Sequence, residues 1–116
     1  MDMQQLRIFL SISRTLNFTR TAEEFFMSQP TVSNQIRALE TELGVSLLIR
    51  SKAGVRLTAE GEYLLPGMRQ IVSGERSVFE RSLELQNMNA GLIRIGKYTY
   101  FFKKSGKAGV YGRSVM

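Results

Sequence analysis

Three observations predict a mainly α fold that carries one small β-hairpin, followed by one long helix. Residues 28–44, SQPTVSNQIRALETELG, repeat apolar side chains at helical spacing and have both ends marked. Two short apolar runs around a glycine turn follow directly. From Ala59 another helical pattern runs on for longer than so small a domain can cover.

In chain order, residues 3–13, MQQLRIFLSIS, set Leu6, Phe9, Leu10 and Ile12 mostly along one side of a helix. RTLNF breaks the pattern. Residues 19–26, TRTAEEFF, read as a short second helix capped by Asn17 or Thr19, with Ala22, Phe25 and Phe26 as inward positions. Met27 and Ser28 leave a very tight connection to the third helix.

In that third helix Val32, Ile36, Leu39 and Leu43 recur at spacings of four, three and four, and so share one face. Thr31, Ser33, Asn34, Gln35 and Arg37 occupy the other. Ser28 suits the N-cap, Pro30 suits the first turn because its missing N–H would have no partner there, and Gly44 suits a left-handed C-terminal cap. The outward face is rich in groups that hydrogen-bond in two directions, as a helix that reads base edges requires. A solvated surface helix usually carries Lys and Glu instead, and composition alone leaves the two readings level. Two short helices joined by a brief turn, the second opening on Gln29 and Pro30, match a helix-turn-helix, whose second helix enters the major groove. A plain three-helix bundle would need no polar outward face on its last helix.

Residues 47–49 and 55–57 then flank a turn at Lys52, Ala53 and Gly54, a hairpin whose rim bears Arg50, Lys52 and Arg56. Charge on a loop is often mere solvation. Directly after a recognition helix, phosphate or minor-groove contact becomes the better reading. Thr58 caps the next helix, with Glu60 and Glu62 in the first turn to suit its dipole. From Ala59 to about Asn89 it would extend about 46 Å. Leu64, Met68, Ile71, Val78 and Leu85 form a heptad-like seam interrupted at Glu75 and Ser82, with Leu65, Val72 and Phe79 beside it. Such a face on a protruding helix calls for a partner helix, most simply from a second copy, the alternative being a helix folded back on its own domain. Pro66, Gly67 and Gly74 weaken the interior and predict a bend near Pro66. LIRIG reads as a short strand, and the residues beyond Gly96 show no usable period.

Composition narrows the function classes. Without cysteine there is no disulfide or thiolate site, and without histidine the commonest general base and metal ligand is missing. Neither an enzyme nor a cofactor is expected. Glu23, Glu24, Glu40 and Glu42 look like helix-surface charges. No apolar run approaches the roughly 18 residues of a membrane span, and the N-terminus lacks the features of a signal peptide, so a cytoplasmic protein is expected. The net charge of +6 is misleading until it is divided by position. Lys97, Lys103, Lys104, Lys107 and Arg113 stand in the last 20 residues with no acid among them, so the rest of the chain is nearly neutral. DNA affinity in the body must come from where its cations sit.

The opening MDMQQLRIFL, the block NFTRTAEEFFMSQPTVSNQIRALETELGVSLLIR, GVRLT and AEGEYLLP together resemble the DNA-binding region of LysR-type transcriptional regulators, in unbroken order over residues 1–96. The resemblance implies a winged helix-turn-helix over residues 1–58, a linker and dimerisation helix over 59–90, and a remnant strand with a basic, disordered tail over 91–116. It implies a homodimer on double-stranded DNA, at an interrupted palindrome near a promoter. Gln29, Pro30 and Ser33 match positions that touch bases. Thr31, Asn34 and Arg37 match positions near bases or phosphates, and Arg50 and Lys52 match the wing. Leu64, Met68, Ile71, Val72, Val78, Phe79 and Leu85 are the dimerisation candidates. The family usually has Arg in place of Asn34 and Phe in place of Ile49, and the first departure removes a charge-assisted contact.

Family members continue into a two-lobed effector-binding domain, for which this chain has no room, so no small-molecule effector site is expected in it. A truncated regulator without its effector domain is the leading expectation. The alternatives are an interaction module that forms mixed dimers with full-length regulators, or a truncated gene product without function. The tail is then either out-of-frame sequence or a basic arm that adds DNA affinity.

Overall fold

The computed structural model describes residues 1–87 with their side chains and, beyond them, the backbone of three strands; residues 88–89, 96–97, 104–109 and 116 lie outside the described residues. The elements are α1 (Met3–Thr15), α2 (Phe18–Glu24), α3 (Gln29–Leu43), β1 (Leu48–Ser51), β2 (Gly54–Leu57), α4 (Ala59–Gln86), β3 (Ala90–Ile95), β4 (Tyr98–Lys103) and β5 (Val110–Val115). Two compact units divide the chain, Met1–Gly74 and Glu75–Met116. The first therefore takes in the proximal part of α4, whereas the sequence puts the boundary at residue 58.

Each helix of the first unit begins where a side chain replaces a missing backbone partner. Asp2 accepts from the Gln5 amide at 2.8 Å while the Gln5 side chain accepts from the Asp2 amide at 3.1 Å, a reciprocal capping box. Asn17, the better of the two expected caps, accepts from the Arg20 amide at 3.0 Å. Leu16 ends α1 in the left-handed region at φ 53°, its N–H donating to the Ile12 carbonyl at 2.7 Å. Gly44 ends α3 at φ 73°, a region where glycine carries no steric penalty.

The core joins Leu6, Ile8, Phe9 and Ile12 of α1, Phe18 and Ala22 of α2, and Val32, Ile36 and Leu39 of α3 with Leu47 and Met68. Burying a side chain the size of Phe9 contributes about 1.5–3 kcal/mol. Ile8 faces inward where the sequence favours Leu10, which is half-buried. Thr21 is fully buried, and its hydroxyl lies 2.9 Å from that of Ser11. Ser11 donates its single proton to Glu24 Oε2 at 2.9 Å, so Thr21 is the donor in their shared bond. Glu24 in turn accepts from Arg14 Nη2 at 3.0 Å, which ties α1 to α2.

Phe26 differs from its expected inward place. The turn after α2 holds it at φ 54°, which sends its ring outward, 97% exposed. Phe25 packs inward as expected, and Met27 takes the place of Phe26, both half-buried against the core.

Helix α4 is continuous through Pro66. The Thr58 hydroxyl joins its start to the residues before the hairpin, accepting from the Gly61 amide at 2.9 Å and donating to the Ser46 carbonyl at 2.6 Å. Gly61 is required by space: a Cβ there would stand 2.4 Å from the Leu47 carbonyl oxygen. In the second unit the backbone of β3, β4 and β5 pairs antiparallel in that order, Ala90 opposite Lys103 and Tyr98 opposite Val115, with a register irregularity at Phe101 and Phe102. β3 covers the stretch LIRIG that is expected to form a short strand, and β4 and β5 stand in the stretch beyond Gly96 where a basic, disordered tail is expected. The Tyr, Phe, Thr and Val of β4 and β5 are residue types that suit a pleated strand. The parts of that expectation that fall on residues 96–97, 104–109 and 116 lie outside the described residues.

Candidate nucleic-acid interface

Helix α3 presents its first turns to solvent. Ser28 caps it from extended backbone, accepting from the Thr31 amide at 3.2 Å, and its hydroxyl also meets that of Thr31 at 2.8 Å. Gln29, Pro30, Thr31, Asn34 and Arg37 are exposed, and Gln35 is half-buried. Residues three and four apart lie side by side on a helix, so Pro30, Asn34 and Arg37 line up along one exposed strip with Gln29 and Thr31 beside it in the first turn, polar throughout except at Pro30. Arg37 Nη1 donates to Asn34 Oδ1 at 3.1 Å. That bond occupies the amide oxygen and leaves the Asn34 NH2 group and the remaining Arg37 donors facing outward.

Ser33 differs from its expected outward place. Only 9% exposed, its hydroxyl accepts from Arg50 Nη2 at 2.9 Å. The cause lies 17 residues along the chain: Arg50 rises from β1, and its guanidinium covers the serine while its Cζ stands 3.6 Å from the centroid of the Phe18 ring. Arg50, though exposed, is thus held against α2 and α3, where the sequence places it on the hairpin rim beside Lys52 and Arg56.

The hairpin lies where expected, with a turn one residue shorter than expected because Gly54 already pairs as part of β2. Leu48 pairs with Leu57 and Ser51 with Gly54, which leaves Lys52 and Ala53 as the two turn residues. Gly54 takes φ 120°, open only to glycine without strain. Ser51 Oγ accepts from the Ala53 amide at 3.2 Å and stiffens the tip. Lys52 and Arg56 are exposed.

Glu40, which reads as a surface charge in the sequence, fastens this hairpin to α3. Its Oε2 accepts from the Leu47 amide at 2.7 Å and more weakly from the Leu48 amide at 3.4 Å. Phe18, Glu40, Thr58 and Gly61 therefore hold the interface in shape and are missed by a search for DNA-contacting residue types. The Thr58 cap was legible from its position. The other three act across the fold, and no local pattern marks them.

The dimerisation candidates divide along α4. Met68 is 4% exposed within the core of the first unit, and Leu64 and Val72 pack against that core. These three have packing partners within their own chain. Ile71 is 45% exposed, Val78 70% and Phe79 63%, while Leu85 is half-buried. Among the described residues, no helix is long and apolar enough to cross a membrane.

The family model described as a bacterial regulatory helix-turn-helix protein, lysR family, matches residues 3–62. The SDS degradation transcriptional activation protein of a Pseudomonas species is 37% identical over 99 residues, 85% of this chain and 32% of that protein. The HTH-type transcriptional regulator HdfR of Shigella boydii is 47% identical over 73 residues, 63% of this chain and 26% of that protein. The chain thus spans no more than about a third of the length of these relatives, which are transcriptional regulators and not enzymes. Among solved structures, the CbnR_DBD–DNA complex matches with a TM-score of 0.68 and 36% identity, covering 72% of this chain and 97% of that one. The BenM_DBD/catB site 1 DNA complex matches with a TM-score of 0.72 and 28% identity, covering 76% and 99%.

Proposed function

Since this chain belongs to the lysR family of bacterial regulatory helix-turn-helix proteins, we propose that it binds double-stranded DNA sequence-specifically, as a dimer, and regulates transcription. The observation that carries the reading is the exposed polar strip of Gln29, Pro30, Thr31, Asn34 and Arg37 at the start of α3, flanked by Lys52 and Arg56 of the hairpin. Side-chain amides and hydroxyls match the donor and acceptor pattern of base edges in the major groove. Lys52 and Arg56 supply phosphate contacts, which carry most of the affinity and none of the sequence information. The related CbnR and BenM DNA-binding domains form crystalline complexes with DNA, which supports double-stranded DNA as the ligand.

Pairing is supported by Val78 and Phe79, two large apolar side chains exposed on α4. Paired helix-turn-helix modules occupy major grooves one turn of DNA, about 34 Å, or a multiple of it apart, which calls for an interrupted palindrome. The same surface would accept a longer relative, and recovery of mixed dimers on co-expression tests that second reading.

The decisive experiment is selection from a randomised duplex pool, followed by anisotropy titration of the enriched site and a scrambled duplex at low and near-physiological salt. A spaced inverted repeat that keeps its advantage at the higher salt is the expected result. Binding that ignores sequence and collapses with salt would refute the proposal. Gln29→Ala is expected to cost about 1–3 kcal/mol on the enriched site and relax the preference at one base pair. Lys52→Ala is expected to weaken both duplexes alike and to lower the salt slope by about one.

A further inference from the structure

Arg50 is an exposed cation at the base of the wing whose guanidinium is nevertheless held against α2 and α3. Nη2 donates to Ser33 Oγ at 2.9 Å, and the guanidinium lies over the Phe18 ring with Cζ 3.6 Å from its centroid. Both partners are enclosed, Phe18 at 5% and Ser33 at 9% exposure. A guanidinium meets these demands together because it is planar: its face stacks on the ring while its edge donates in a fixed direction. An ammonium has no face to stack. One side chain of β1 is thereby joined to the first residue of α2 and to the middle of the exposed half of α3. Ser33 stands one turn after Gln29 and one turn before Arg37, so the clamp falls between the residues proposed to read DNA.

On the DNA-binding reading above, we infer that Arg50 is a positioning residue for recognition. It sets the angle between the wing and α3, and so the depth and tilt at which Gln29 and Asn34 meet base edges. Phosphate contact from the wing falls to Lys52 and Arg56. Direct readout requires placement to a fraction of an ångström, so loosening the clamp blurs base discrimination and leaves the phosphate contacts in being.

The test compares the full chain with its Arg50→Ala and Arg50→Lys variants on the enriched site and a scrambled duplex, across a salt series. For Arg50→Ala the expected loss is about tenfold or more on the enriched site and less than about threefold on the scrambled one, with the slope of log affinity on log salt unchanged. Arg50→Lys keeps the charge and is expected to fail to restore discrimination. A salt slope lower by about one, equal loss on both duplexes, or rescue by lysine would each overturn the inference and make Arg50 a phosphate contact.

If Arg50→Ala does not fold by circular dichroism, Arg50→Lys and a cycle of Ser33→Ala with Arg50→Lys decide the matter. Discrimination lost in either single variant should fall little further in the double one, whereas fully additive losses would sink the clamp. An unaltered chain that selects no site would remove the DNA-binding reading itself, and that outcome is seen before any variant is made.

Discussion

The two parts of α4 carry apolar residues at similar spacing and meet different surroundings. In the proximal part Met68 is buried in the core of the first unit, and Leu64, Leu65 and Val72 pack against it. In the distal part Val78 and Phe79 are 70% and 63% exposed, and Leu83 is 42% exposed. A helical period records that one side of a helix is apolar, and is silent on whether the same chain or another covers it. The proximal residues answer to the stability of one chain. The distal ones are the surface proposed for association.

Three variants, the last a double one, sharpen or break this contrast. Met68→Ala removes a fully packed side chain and is expected to destabilise the first unit by about 2–5 kcal/mol. Thermal melts should show that loss at every protein concentration; a melting temperature within a degree of the parent would mean that Met68 belongs with the distal group. Gly61→Ala comes next, at about 1–3 kcal/mol, because its new methyl would be driven into the Leu47 carbonyl and the helix start would have to move off the hairpin. Denaturant unfolding measures it, and an unchanged midpoint would show that this contact is slack. The smallest effect on folding belongs to the pair Val78→Ser and Phe79→Ser, about 0.5 kcal/mol or less for exposed positions. Sedimentation equilibrium should nevertheless show a weaker dimer. If association is untouched, pairing runs through some other surface.

Legibility in the sequence followed the range of the forces. Ser28, Thr58 and Gly44 answer to backbone groups within four residues, and each was found where the residue types put it. The hairpin turn was equally local. Phe26 went astray because a positive φ at one turn residue outweighs the preference of an apolar ring for the inside. Ser33 and Glu40 went astray for the reason that makes tertiary structure hard to read: their partners, Arg50 and the Leu47 amide, arrive from the hairpin. Within the proposed interface, then, the outward placement of Gln29, Pro30, Thr31, Asn34 and Arg37 was legible. The struts beneath it were not, since any polar or glycine residue at those positions would look unremarkable until the chain is folded.

Gly61 carries a warning for genetics. Having no side chain, it offers nothing to a base or a phosphate, yet the carbonyl of Leu47 leaves no room for any other residue in its place. A screen that scores colonies for lost repression or activation would rank substitutions there beside those at Gln29, and a heat map coloured by phenotype would draw the binding surface through a position that never meets DNA. Cellular abundance separates them: alleles at residue 61 should thin out in an immunoblot, whereas alleles at residue 29 should persist at full level and fail only at the promoter.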